Sequence, residues 1–409
     1  MSVHSDAQTI ISAALAACRP DAAVRRALEG RDFSGPVRLV AIGKAAWQMA
    51  ACAAEVLGSR LKEGVVVTKY GHGMGPIPRC AVFEGGHPVP DENSFRGTRA
   101  AMVLAEKLGE GDQVVFLVSG GGSALFEWPL IPGEELAEIT RALLAGGADI
   151  VEINTVRKRL SAVKGGRFAR LCAPAKVFAV VLSDILGDPL DMIASGPACP
   201  DSSTCAQARA VAEKYHLPLS PQAAALLREE TPKALANVET VITGSVRELC
   251  AAAAAACRAL GYQPLILTDR LCCEAREAGS FLASIARSHD GAETPLAFLA
   301  GGETVVHLTG DGLGGRNQEL ALAAAPGIAG MTDTVIFSLG SDGTDGPTDA
   351  AGGLVDGETL GKLRAAGLDV HDVLRRNDAY HALAAVGGLI RTGPTGTNVN
   401  DVSAVLLRR

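Results

Sequence analysis

At 409 residues the chain exceeds the roughly 100–200 residues of one typical domain, which points to two domains. Hydrophobic residues make up 48% but aromatics only 4%, so the cores must be built mainly from Ala, Val, Leu and Ile, as in layered α/β proteins. A formal net charge of −7 without a long Lys/Arg run argues against nucleic acid or an anionic membrane as partner, and no uninterrupted apolar run reaches the about 18 residues that span a bilayer.

Residues 6–17 predict an amphipathic helix halted by Pro20. Residues 37–42 predict a buried strand, Gly43 and Lys44 a turn, and residues 45–57 a helix. The alternation continues with a strand at 64–68, a helix at 98–108 and a strand at 113–118 that ends on Ser119-Gly-Gly-Gly-Ser123. Short apolar strands alternating with helices imply right-handed crossovers and a parallel sheet. After a helical stretch over 132–171, a strand at 176–183 ends at Asp184, and prolines 189, 197 and 200 make the following segment a loop. The pair Thr231 and Pro232 suggests a boundary, dividing the chain into 1–235 and 236–409. The second part is expected to begin with a strand near 238–243, to carry an Ala-rich helix, and to add strands at 264–268, 296–300, 304–308, 334–339 and 402–407.

The N-terminal stretch has Asp6 and no Lys or Arg ahead of its apolar residues, unlike a secretory signal. Ten cysteines are scattered, no C-x-x-C pair occurs, and adjacent Cys272 and Cys273 lack partners at zinc spacing. They read as small core residues of a protein in a reducing cytoplasm.

Lys44 lies between a strand and a helix, where a cation reinforces the anion-binding character of a helix N-terminus; a solvated lysine is the alternative. The residues Ser119, Gly120, Gly121, Gly122 and Ser123 can bring backbone amides close to an oxyanion, or form an ordinary tight turn. No Walker A sequence occurs. Asp184 and Asp188 flank Gly187 at a strand's carboxyl end, where a carboxylate can take a hydroxyl proton or hold magnesium, and Ser195 follows in the same loop. Arg316 offers a planar fork for phosphate or carboxylate behind a glycine hairpin, beside Asn317. Asp342, Asp345 and Asp349 are candidate magnesium ligands or solvated turn residues. Gly310, Gly312 and Gly315 also satisfy G-x-G-x-x-G, so a hydride-transfer enzyme is the competing reading; Asp311 inside that loop opposes a pyrophosphate. His72 and His87 fall in Gly/Pro-rich loops and His307 on the strand at 304–308.

Taken in order, Ala41-Ile-Gly-Lys-Ala45, Gly85-Gly-His-Pro88, Ser119-Gly-Gly-Gly-Ser-Ala-Leu125, Asn154-Thr-Val-Arg-Lys158, Ser183-Asp-Ile-Leu-Gly-Asp188 and Ala194-Ser-Gly-Pro197 are similar to the motifs of one known family. The second half adds Gly301-Gly-Glu-Thr304, Gly314-Gly-Arg-Asn-Gln-Glu319, Gly340-Ser-Asp-Gly-Thr-Asp-Gly346 and Thr392-Gly-Pro-Thr-Gly-Thr-Asn-Val-Asn-Asp401. Over nearly its full length the chain resembles the glycerate 2-kinase family that ends in a MOFRL domain. The resemblance implies a Rossmann-like N-terminal domain, a smaller α/β C-terminal domain with the MOFRL region at about 295–409, and an active cleft between them. It implies ATP-dependent phosphorylation of D-glycerate at the 2-hydroxyl, with Mg²⁺, in a cytoplasmic enzyme; it leaves a homo-oligomer open. Lys44 and Arg316 are then the expected catalytic pair, joined by Asp184. Nucleotide is expected on residues 119–123, Asn398 and Asn400, glycerate on Lys44, Ser195, Arg316 and Asn317, and metal on Asp184, Asp188 and Asp342. Members of the family are also labelled hydroxypyruvate reductase.

Overall fold

The run Val-Arg-Leu-Val-Ala-Ile forms strand β1 (Val37–Ile42), buried at every position except the half-buried Arg38. Such a strand needs cover on both faces, which a parallel sheet flanked by helices supplies. In the computed structural model, which describes residues 2–408, β1 lies at the middle of a six-stranded sheet. Its other strands are β2 (Leu61–Lys69), β3 (Cys80–Gly85), β4 (Gln113–Val118), β5 (Lys176–Val181) and β6 (Val238–Ile242). The order is 3-2-1-4-5-6, that of a doubly wound Rossmann-type sheet, and every neighbouring pair is parallel. Strand order reverses between β1 and β4, the switch point beside which doubly wound sheets place their ligands.

A second sheet contains β7 (Gln263–Leu271), β8 (Leu296–Gly302), β9 (Thr334–Gly340), β10 (Gly352–Asp356), β11 (Leu389–Ile390) and β12 (Asp401–Leu407) in the order 11-10-9-12-8-7. Only β7 and β8 run parallel; the remaining pairs are antiparallel. The neighbours β9 and β12 are buried along their whole length. The helix Arg316–Ala324 packs on β9, β10 and the helix Ala275–Ser288, with Leu320, Ala321 and Leu322 in the core.

The chain divides into compact units at places other than the expected 1–235 and 236–409. One unit holds the first 22 residues, Ser183–Gly187 and the chain from Gly244 onward; the other holds Ala23–Leu182 and Asp188–Thr243. Two physical facts move the boundary. Strand β6 pairs with β5 and completes the parallel sheet, so it does not start a second series. The opening helix Val3–Ala17 buries Ala7, Ile10, Ile11 and Ala14 against the helix Val246–Ala259 and strands β9 and β12. Its buried Asp6 accepts a hydrogen bond from Tyr262 Oη at 2.7 Å and pairs with the Arg408 guanidinium.

The strand expected at 304–308 is absent; that segment makes one isolated bridge, Val305 to Glu274, and His307 is exposed. The helical stretch expected at 132–171 is three helices, Gly133–Ala145, Ile150–Arg157 and Arg167–Leu171, separated by turns. Strands β3 and β10 carry glycine and mixed polarity, and β11 is only two residues long, so none shows the apolar run that marks the others.

Candidate active site

In the parallel-sheet unit, the loops that follow β1 and β4 are stitched together at the switch point. Lys44 N–H donates to Gly120 O at 2.8 Å, and Ala45 N–H donates to Ser119 Oγ at 3.1 Å. The Ser119 hydroxyl, 1% exposed, donates in turn to Ile42 O at 3.2 Å. Ser119 therefore ties the two loops together. Gly121 has φ +82°, and a Cβ there would lie 3.0 Å from the His87 ring and 3.2 Å from Lys44 Cγ. Only glycine lets the loop, His87 and the lysine stem gather this closely.

Within this unit Lys44 Nζ has no hydrogen-bond acceptor or ion-pair partner among the described residues. Its carbonyl accepts from Thr68 Oγ1 at 3.3 Å and faces His72 Nδ1 at 3.0 Å, so the backbone is held while the ammonium is available. The pKa of His87 is lowered, first by burial and then by the charges of Lys44, Lys69 and His72. A patch that raises the cost of another proton is one that favours an anion.

Behind the glycine loop, Ser123 Oγ meets Ser195 Oγ at 3.0 Å, and Ser195 Oγ donates to Asn154 Oδ1 at 2.8 Å. Ser195 is fully buried with φ +61°, which places it beneath Ser123. Ser123 O accepts from Lys164 Nζ at 2.8 Å and Arg157 Nη2 at 3.3 Å, while Glu127 faces both cations. Burial pulls the Lys164 ammonium down to about 8 against the support of Glu127. Asp188 adopts φ +53°, and its buried Oδ1 has no hydrogen-bond partner among the described residues.

The mixed-sheet unit gathers a second set. Gly315 precedes the helix Arg316–Ala324, and a Cβ there would fall 2.3 Å from the Asp345 carboxyl carbon. Asp345 uses that space to accept from the first free amides of the helix, Asn317 N–H at 3.2 Å and Gln318 N–H at 2.9 Å. Burial raises its carboxyl to about 6 despite those hydrogen bonds, with the Asp401 charge adding to the rise. Arg316 forms a fork with Asp401, Nε to Oδ2 at 2.5 Å and Nη2 to Oδ1 at 3.0 Å, and reaches Glu303 Oε1 with Nη1 at 3.2 Å. Burial works against its charge, but Asp401 and then Glu303 and Asp345 outweigh it and raise the guanidinium pKa. The side chain remains 34% exposed, enough to present one edge of the fork to a ligand.

Asn400, φ +64°, donates from Nδ2 to Glu303 Oε2 and to the Asp184 carbonyl, both at 3.2 Å, and its buried Oδ1 has no hydrogen-bond partner among the described residues. Asp184, Glu303, Asn400, Asp401 and Arg316 thus form one connected cluster. Asn398 is exposed beside it. Asn317 differs from expectation: it is 1% exposed, with its amide on Asp345 and its carbonyl accepting from Ser338 Oγ at 2.5 Å. Its side chain is engaged by Asp345 and Ser338 inside the unit. Asp342 caps its own turn, accepting Thr344 N–H at 2.9 Å.

No group of three or more His, Cys, Asp or Glu side chains converges as a metal cage among the described residues. Magnesium that arrives on nucleotide phosphates needs only one or two protein carboxylates, and the unpartnered Asp188 Oδ1 is a fitting oxygen. The G-x-G-x-x-G reading loses its physical basis. The preceding strand, β8, ends at Gly302 and does not lead into Gly310, and the helix amides that would meet a pyrophosphate already serve Asp345.

Residues 6–228 match a family model described as a domain of unknown function (DUF4147), and residues 296–401 match the MOFRL family. A relative from Thermotoga maritima, named D-glycerate 2-kinase, is 52% identical over 96% of this chain and 95% of its own length. A relative from Agrobacterium vitis, named for hydroxypyruvate reductase, is 41% identical over 97% of this chain and 93% of its own length. The crystal structure of glycerate kinase from Thermotoga maritima matches with a TM-score of 0.94 at 51% identity, covering 98% of this chain and 99% of that one.

Proposed function

Because the chain belongs to the glycerate 2-kinase family with a MOFRL domain, its chemistry is phosphoryl transfer to an alcohol group of glycerate, and we propose that it moves the γ-phosphoryl of ATP onto the 2-hydroxyl of D-glycerate. The observation that carries this reading is near-full-length similarity to a D-glycerate 2-kinase in a chain whose switch-point loop presents a lysine ammonium without a counter-ion in its unit.

Lys44 and Arg316 offset charge on the transferring phosphoryl group, which spreads over its equatorial oxygens in a loose transition state. The fixed backbone around Lys44 and the Asp401 fork hold both cations in place, so little reorganisation accompanies the reaction. Asp184, whose backbone is clamped by Asn400, orients the 2-hydroxyl or takes its proton. The glycine loop 120–123 and the exposed Asn398 contact nucleotide phosphates or glycerate. Ser119, Ser195 and Asn317 act through neighbours as positioning residues. Magnesium, held through Asp188, Asp184 or Asp342, supplies charge neutralisation on the phosphate oxygens. The scattered cysteines support a reducing cytoplasm as its location.

The experiment supplies purified protein with ATP, Mg²⁺ and D-glycerate and couples the product to enolase, which accepts 2-phosphoglycerate and not the 3-phosphate. Enolase-dependent signal is expected. Absence of signal together with NADH oxidation on hydroxypyruvate would replace this reading by hydride transfer. Replacing Lys44 by Ala is expected to lower kcat roughly 10²- to 10³-fold; turnover near that of the unaltered protein removes it from the mechanism.

A further inference from the structure

Beside Arg316 the mixed-sheet unit carries a groove of about 710 Å³, lined among others by Leu186, Val305, Leu308, Asp311 and Pro347. That volume is within the usual range for a small-molecule ligand, roughly 300–1,000 Å³. We propose that this groove holds the purine and ribose of the nucleotide donor, an assignment that rests on the kinase reading above.

Four observations converge on a nucleoside. Leu308 is 82% exposed and Val305 48% exposed, so two large apolar side chains stand in water on the wall of a groove where a flat base would cover them. The lining charges are unbalanced: Glu303, Asp311 and Asp345 line the groove with a single cation, Arg316, while the buried Glu319 is paired with Arg276 at 3.4 Å. A polyphosphate is repelled along such a surface except beside the guanidinium, whereas an uncharged base and sugar are not. Asp311 is exposed and can accept hydrogen bonds from ribose hydroxyls, the use that acidic residues have in nucleotide-binding sheets. Thr304 lines the groove, is 5% exposed, and its buried Oγ1 has no hydrogen-bond partner among the described residues. A hydroxyl left in that state fits a missing ligand atom.

The wall is also fixed in advance. Asn377 Oδ1 accepts from Thr309 N–H at 2.7 Å and Gly310 N–H at 2.9 Å, and Asp378 Oδ1 accepts from Leu313 N–H at 3.1 Å. Gly312 N–H donates to Arg376 O at 2.9 Å. A loop pinned at four amides binds without first being ordered. The three glycines that mimic a dinucleotide motif therefore serve as a smooth wall for the sugar and base, leaving the pyrophosphate elsewhere.

The test compares ADP with inorganic tripolyphosphate by titration calorimetry on the full chain, the Leu308→Asp variant and the Asp311→Ala variant. Both changes fall on exposed side chains, and matching thermal melts verify folding. Leu308→Asp is expected to weaken ADP at least ten-fold and tripolyphosphate less than two-fold, and to raise KM for ATP while KM for D-glycerate stays within two-fold. Asp311→Ala is expected to erase the preference for ADP over its 2′,3′-dideoxy analogue. Unchanged ADP affinity in both variants, or equal loss of ADP and tripolyphosphate, overturns the assignment. Failure of the kinase reading is separately visible: the unaltered protein then yields no product for enolase, whatever the groove binds.

Discussion

Arg316 and Asp401 face each other as planar forks, with contacts of 2.5 Å and 3.0 Å, so the carboxylate of the last strand dictates the plane of the guanidinium. Lysine cannot reproduce two parallel contacts. Arg316→Lys is therefore expected to lower kcat about 10²-fold or more while retaining the charge. Asp401→Asn keeps the shape, loosens the arginine and is expected to cost about 1–3 kcal/mol of stability, because the pair is partly open to water. Steady-state kinetics and urea unfolding check both; an Arg316→Lys enzyme of full activity would show that charge alone suffices.

Gly121 is the point where the glycine loop passes His87 and Lys44. Gly121→Ala adds a methyl group at a positive φ, costing about 1 kcal/mol, and pushes against the lysine stem. The expected outcome is a loss of one or two powers of ten in kcat with only a small drop in Tm. A parallel loss of fold and activity would mean that the glycine serves the chain and not the lysine.

Burial raises the Asp345 carboxyl to about 6, above the usual carboxylate value. Between the unfolded value near 4 and that folded value, the native state binds more protons than the unfolded one. Stability from this group therefore falls as pH rises from about 4 to 6 and is lowest above 6, by about 2–3 kcal/mol. Asp345→Asn still offers an acceptor to Gln318 N–H. Subtracting its urea-unfolding profile from that of the unaltered protein between pH 4 and 7.5 should leave this slope; a flat difference refutes it.

Ser195 is fully enclosed, so it can influence a ligand only through its neighbours, of which Ser123 belongs to the glycine loop. Ser195→Ala frees the Ser123 hydroxyl and leaves Asn154 Oδ1 without its donor, a cost of about 1–3 kcal/mol. Ser123→Ala is expected to raise KM for glycerate or ATP more than Ser195→Ala does. Equal KM values for the two variants, measured at matched stability, would place both serines in a purely structural role.

The parts of the fold that were legible are those whose residues announce burial on both faces: β1, β4, β5 and β9 read as apolar runs and proved to be central strands. Strand β6 read equally well as a strand, but partner choice is a tertiary fact, and only its pairing with β5 assigns it to the first sheet. Residues 304–308 are rich in β-branched and apolar side chains, as a strand is, yet Thr304, Val305, Val306 and Leu308 line an open groove. Lys44 and Arg316 stood out because glycine and a strand end surround each. Glu303 and Asp401 did not, since a single carboxylate beside glycine or asparagine has no periodicity to mark it. Asn317 adjoins Arg316 in sequence but, one helical step on, points inward to Ser338.

Strand β12 pairs with both β8 and β9, though it is the last of the twelve to be synthesised. On the ribosome the parallel sheet is complete once β6 has emerged, whereas β8 and β9 must wait with open flanks until residue 407 arrives. The nascent chain should accordingly carry one folded half and one half open to chaperones. Because Asp401 enters with that same strand, the arginine acquires its orienting carboxylate only after β12 has been made.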